Sequence, residues 1–342
     1  MTSATLLSFA AAALPVGASP AVAADNPPAV KRLFTIRDDR VTESSGLAKS
    51  QKHDNLWWTV NDSNDSARIF GLNKDGEVEA VLTFRAEVRD VEAIAVGRDG
   101  TIYVGDIGDN LTSRDMITVY AIAEPDQLEN QQVRFRAYDF EYPDGAHNAE
   151  TLLIHPQTQR MYFVTKAKSG KAAFYAAPEE PSRVGVNELE RLADAPPDIT
   201  DGIFLPDARG LVLRTYLQIA ALTWGPKPNV YARTNLPPAQ GESVAMGPSS
   251  TTLAVGSEGA NSVVYQVTVP LRKPTPAVPP KPTATTPDTG NTNHNLRWIL
   301  IGAGVFALLV AFVTFPAGRR ERDEALIENQ RGMDRQRMRS TV

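Results

Sequence analysis

The 342-residue chain has no cysteine, only four histidines and no surplus of basic residues. Without cysteine there is no disulfide, no thiolate metal ligand and no cysteine nucleophile. Outside a reducing compartment, stability must then rest on burial and closure of the fold rather than on cross-links. Three of the histidines, His53, His147 and His155, fall in the central part of the chain, too few to favour softer metals. Forty acids against 35 lysines and arginines give a formal charge of −5, and residues 317 to 342 alone hold seven arginines against five acids. The remainder is therefore more acidic than the total, which excludes nucleic acid as an expected partner.

Long apolar runs are confined to the two ends. Residues 5 to 15 are apolar and Ala21-Val22-Ala23 follow, so residues 1–24 read as a cleavable signal peptide. Trp298 to Phe315 carries no charge and predicts a membrane-spanning helix over 297–316. Arg319, Arg320 and Arg322 follow it, which places the tail, 317–342, in the cytoplasm. The segment 272–296 is rich in Pro and Thr and reads as an extended stalk. Within it Thr286-Pro287-Asp288-Thr289-Gly290 resembles a sortase sorting signal, so sortase transfer stays open beside retention of the helix. The expected protein is single-pass in the cell membrane with its amino terminus outside. Residues 30–271 then form a monomeric ectodomain facing a cell-envelope ligand or protein.

That ectodomain contains one pattern five times: an acid, an apolar run, a turn, a second apolar run, and later an aromatic. The copies begin at Glu43 (ESSGLA), Glu92 (EAIAVGRDGTIYVGD), Glu150 (ETLLIHPQTQRMYFV), Asp201 (DGIFLPDARGLVLRT) and Glu242 (ESVAMGPSSTTLAVG). The aromatics Phe70, Tyr120, Tyr175, Tyr231 and Tyr265 follow their acids by 23 to 30 residues. The period suits blades of three or four strands, and Glu77 to Phe84 and Val133 to Phe140 read as outer strands. The fifth copy lacks an outer strand, while Lys31 to Arg37 is an apolar segment without a partner. Together they predict an all-β, five-bladed β-propeller closed by its amino-terminal strand, which leaves no open sheet edge. A sixth, degenerate blade in the Pro178 to Asp198 connection, or an open sandwich, remain the alternatives.

In a propeller each acid opens an innermost strand, so Glu43, Glu92, Glu150, Asp201 and Glu242 would converge at one end of the central channel. Carboxylates so placed must bind a cation, take up protons or find donors. An all-oxygen set, completed by Ser44 and Ser243, points to calcium. A ring of acids that merely accept backbone N–H bonds is the competing reading. At the ends of the second strands, Asp62, Asp106, Lys166 and Arg214 would rim the mouth and bind ligand, with Lys166 and Arg214 clamping an anion.

TESSGLA, DVEAIAV with YVGDIGDN, NAETLLI, ITDGIFLPDARGLVLRTY and GESVAMG resemble a family of secreted actinobacterial β-propellers, loosely related to phytase-like and SdiA-regulated propellers, over residues 40 to 267. A remoter similarity of arrangement is to the calcium-dependent apyrases, five-bladed propellers with a central calcium. The resemblance implies the fold and a central ion; it maps no catalytic residue onto this chain. A ligand- or protein-binding module is the expected function, with a calcium-dependent phosphoester hydrolase as the alternative enzymatic reading and transmembrane signalling as a third.

Overall fold

The structure, a computed structural model, describes residues 30–269 apart from 63, 64, 169, 170 and 238. The predicted signal peptide, stalk, membrane span and cytoplasmic tail lie outside the described residues. Among the described residues every regular element is a strand, and none forms a helix able to cross a membrane.

The chain begins with β1 (Lys31–Thr35) and then builds five sheets. The first blade is β2 (Ser44–Lys49), β3 (Trp57–Asn61), β4 (Arg68–Leu72) and β5 (Val78–Thr83). The second is β6 (Val91–Val96), β7 (Thr101–Asp106) and β8 (Ile117–Ala123), followed, after the short β9 (Gln131–Gln132), by β10 (Arg136–Glu141). The third is β11 (Ala149–Ile154), β12 (Met161–Thr165) and β13 (Ala173–Ala176), joined, after β14 (Val186–Glu188), by β15 (Glu190–Asp194). The fourth is β16 (Asp201–Phe204), β17 (Gly210–Arg214), β18 (Gln218–Thr223) and β19 (Asn229–Asn235). The fifth is β20 (Ser243–Met246), β21 (Thr252–Gly256) and β22 (Val263–Thr268), with β1 as its outer strand.

The innermost strands β2, β6, β11, β16 and β20 pack in that order, and β20 returns to β2. Closure is made by the antiparallel pairing of β1 with β22, which sets Lys31 opposite Gln266 and Thr35 opposite Val263. The fold is thus the five-bladed β-propeller that the repeat predicts. No sixth blade exists in the Pro178 to Asp198 connection. That segment gives β14, which lies parallel beside β10 of the preceding blade, and β15. Likewise β9 straps the outer edge of the first blade by pairing parallel with β5. One blade marker is displaced: the third strand of blade four is β18, and Tyr231 belongs to the outer strand β19. The run QIAALT has no aromatic, so aromatic spacing does not mark it.

Burial explains why these strands read as apolar on both faces. Five apolar clusters lie one at each blade interface. Successive residues of a strand face opposite sides, so each blade supplies two clusters at once. Trp57 packs toward the fifth blade and Trp58 toward the second, both at most 1% exposed. Their indoles donate to the Met246 carbonyl oxygen at 2.9 Å and to Glu124 Oε1 at 2.7 Å.

Candidate functional site

Strand register shows where the five repeat acids lie. Asn61, Asp106 and Thr165 lie opposite Ser44, Val91 and Ala149, the first residues of three inner strands. Arg214 and Gly256 hold the same place opposite Asp201 and Ser243. In blades two and three the register then slips by one, leaving Glu92 and Glu150 as bulge residues; in blade one the slip falls at Gly46. A bulge re-aims the side chain it carries. Blades four and five have no slip at this place. The acids therefore fall into three sets: Glu92 and Glu150 in bulges, Glu43 and Glu242 just before their strands, and Asp201 within its strand. The equivalence expected from the sequence does not hold, because a one-residue bulge leaves no mark in composition.

Asp201 behaves as a backbone acceptor. One oxygen takes the N–H of Gly202 and the other the N–H of Val244 in the next inner strand, both at 2.7 Å. Burial pushes its carboxyl well above the usual range, against those two bonds and Arg214. Glu43 is exposed, and its carbonyl oxygen accepts the N–H of Asp62 at 2.9 Å.

A different trio converges. Asp62, from the end of β3, and Asp90 and Glu92, from the start of β6, each bring one carboxylate oxygen within 4.8 Å of the others. Glu92 is 5% exposed. Burial first, then Glu150, Asp62 and Asp90, push its carboxyl up to about 10. Burial and the Asp62 carboxylate raise Asp90 to about 6, against the pull of Arg114. The Ser45 hydroxyl donates toward Glu92, 3.2 Å from Oε2 and 3.0 Å from its carbonyl oxygen.

The trio is held in place from behind. Asp106 accepts the backbone N–H groups of Arg89 and Asp90 at 3.1 and 3.0 Å, and Arg114 Nη1 at 2.8 Å. Arg114 Nη1 also donates to the Gly108 carbonyl oxygen at 2.8 Å. Gly108 is where the loop presses on the acids: a Cβ there would lie 2.4 Å from Asp90 Oδ2 and 2.7 Å from Glu92 Cγ.

Beside the trio, Lys166 Nζ pairs with Glu150 Oε2 at 2.6 Å, donates to the Tyr216 hydroxyl at 2.8 Å and sits 4.8 Å from that ring's centroid. Burial acts to lower this ammonium, but Glu150 and Tyr216 outweigh it and hold it above its ordinary value. Burial raises Glu150 to about 7 despite Lys166, and raises Glu242 to about 7, with the Glu150 charge adding to the effect.

The four residues expected on the rim belong to two rows, because side chains alternate along a strand. Asp62 and Lys166 reach the mouth, whereas Asp106 and Arg214, one residue earlier in their blades, are 2% and 3% exposed and turn away. Arg214 does not clamp a ligand with Lys166. Its Nη2 donates to the Gly256 carbonyl oxygen at 3.2 Å, its guanidinium lies against Gly241, and burial lowers it to about 10. Ser44 is tied to Thr59 Oγ1 at 2.7 Å and Ser243 Oγ faces Gly256; Ser45 is the serine at the trio. Sequence reasoning missed Asp90, Ser45, Gly108 and Tyr216. Asp90 had a signal, an acid two residues before Glu92.

The three histidines among the described residues take no part in the trio: His53 bonds to the Pro125 carbonyl oxygen, His147 pairs with Asp144, and His155 Nδ1 accepts the Gln157 and Thr158 N–H groups. The trio is thus all oxygen, a donor set that fits a hard divalent cation such as calcium, with coordination positions left for water or ligand.

No protein family model matches the chain, and no curated protein matches it. Among solved structures it is similar to a gluconolactonase from Xanthomonas campestris, at 15% identity and a TM-score of 0.42, over 74% of this chain and 99% of that one. It is also similar to U3-55K (12% identity, TM-score 0.38, 71% of this chain and 100% of that one) and to the Dos1 propeller (10%, 0.36, 63% and 53%).

Proposed function

We propose that this protein is an extracytoplasmic binding module. Its propeller holds a calcium-type cation on Asp62, Asp90 and Glu92 and presents it, with Lys166 and Tyr216, to an oxygen-rich cell-envelope ligand. The supporting observation is the trio itself: three carboxylates within 4.8 Å, two of them pushed up to about 6 and about 10. At neutral pH Glu92 then keeps its proton in the absence of a cation and Asp90 is close to taking one up, and a divalent ion replaces the proton while leaving sites open to a ligand. Residues 1–24 and 297–316 are read with this as export signal and membrane tether.

The test is calorimetric titration of the full-length chain with calcium, repeated with Asp90→Asn and Glu92→Gln. Saturable binding that falls at least tenfold in each variant supports the reading. Absence of saturable binding, with no rise in melting temperature at millimolar calcium, overturns it.

A second reading, a metal-dependent phosphoester hydrolase, is favoured by one further observation: Glu150 and Glu242 are raised to about 7 at the same mouth, the range in which a carboxylate works as a general base. Chelator-sensitive turnover of a nucleotide or phytate that Glu242→Gln abolishes would establish it. Its absence with calcium binding intact leaves the binding module.

A further inference from the structure

The inner strands start at the carboxylates and run to Lys49, Val96, Ile154, Phe204 and Met246. At that far end the channel opens again into a cavity of about 260 Å³, lined by the last residues of all five inner strands. Among the described residues it has no carboxylate in its lining: Lys49, Gln51, Arg98 and Gln159 supply polar groups, and apolar residues supply the rest. Ala95, Val96, Leu152, Ile203 and Met246 line it, and of these Ala95, Val96, Ile203 and Met246 remain partly open to solvent. An apolar cavity of about 150 Å³ already takes a benzene-sized molecule, so this one has room for an alkyl chain or a substituted ring.

The rim adds charge of one sign. Arg98 lines the cavity, is exposed and forms no ion pair among the described residues. Its backbone is braced: the Arg98 N–H donates to Gln159 Oε1 at 3.0 Å, and the turn closes by Gly100 N–H to the Gly97 carbonyl oxygen at 3.0 Å. Lys49 also lines the cavity, with Nζ donating to the carbonyl oxygens of Gly247 at 2.8 Å and Pro248 at 3.3 Å. The nearby acids have other partners: Asp99 accepts the N–H and hydroxyl of Thr101, and Asp54 acts on Lys49. An arginine lining a partly aliphatic cavity suits a planar anion attached to an apolar body.

We infer that the channel end opposite the carboxylates is a second binding site, for a small amphiphile whose apolar body fills the channel and whose carboxylate pairs with Arg98. The site does not depend on the cation, so the two readings fail separately.

The probe is octanoate, titrated calorimetrically into the full-length chain with and without chelator. Saturable, chelator-insensitive binding is expected. From butanoate to octanoate each added methylene should tighten binding about fourfold, and octylamine should bind at least tenfold more weakly than octanoate. Arg98→Gln, an exposed change, should lose about tenfold for octanoate and leave octanol unaffected; Ala95→Phe should abolish both. No saturable octanoate binding, equal affinity for octylamine, or undiminished binding in Arg98→Gln overturns the inference. Should Ala95→Phe fail to fold, the exposed variant alone decides.

Discussion

At residue 108 a single hydrogen in place of a methyl sets how closely Asp90 and Glu92 approach the loop. Gly108→Ala should push both carboxylates outward and lower calcium affinity at least tenfold, read by titration, with only a modest change in the calcium-free melting temperature. Asp201→Asn should do the reverse. It replaces an acceptor of two buried N–H groups by one that accepts only through its carbonyl oxygen, which costs about 1–3 kcal/mol, measurable by denaturant unfolding, and it leaves calcium affinity unchanged. A loss of calcium affinity in Asp201→Asn would instead make Asp201 part of the cation site. The residue types of this site were legible in the sequence, since Glu92 and Asp62 stand out among turns and apolar runs. Their geometry was not, because the bulges at Gly46, Glu92 and Glu150 shift each blade differently while the letters stay alike.

At the level of elements, the strand β1 carries the closure. Phe34 is 4% exposed and lies 5.5 Å, centroid to centroid, from Trp57 in the cluster between blades five and one. Phe34→Ala should cost about 3–5 kcal/mol by leaving a cavity, lowering the melting temperature by roughly 10 °C for a domain of this size. Removing residues 31–37 should expose the β22 edge and convert a monodisperse sample into higher oligomers on size exclusion. An orphan apolar segment before the first repeat and a missing strand after the last were enough to foresee β1. The parallel straps β9 and β14 were not foreseeable, since two or three residues carry no periodicity. Nor was β18, whose small aliphatic residues lack the aromatic used to mark the third strand.

For the molecule as a whole, the clustered acids make stability depend on pH and on divalent ions together. Asp90, Glu150 and Glu242 are held at about 6, 7 and 7 in the folded state and Glu92 at about 10, all above the ordinary carboxyl value near 4. The folded protein therefore binds more protons than the unfolded chain once pH exceeds about 4, and the stability this provides is lost as pH rises through 6 to 7 and beyond. The calcium-free melting temperature should fall between pH 5 and pH 8. Calcium requires the ionised carboxylates, so its stabilising effect should be larger at pH 8 than at pH 5. At a concentration about a hundredfold above the dissociation constant it would add about 2.7 kcal/mol, a rise on the order of 5 to 10 °C. Equal calcium shifts at both pH values in melting scans would remove the acids of this mouth from the cation site.

The pairing of β1 with β22 also decides how the propeller responds to pulling. Lys31 faces Gln266 and Thr35 faces Val263, so the chain enters and leaves the ring at neighbouring points. Tension applied between those points loads the ladder one rung at a time, as a zipper is opened, instead of shearing all rungs at once. In a force spectrometer the ring should come apart at its seam first and at low force, with the remaining four blades yielding afterwards.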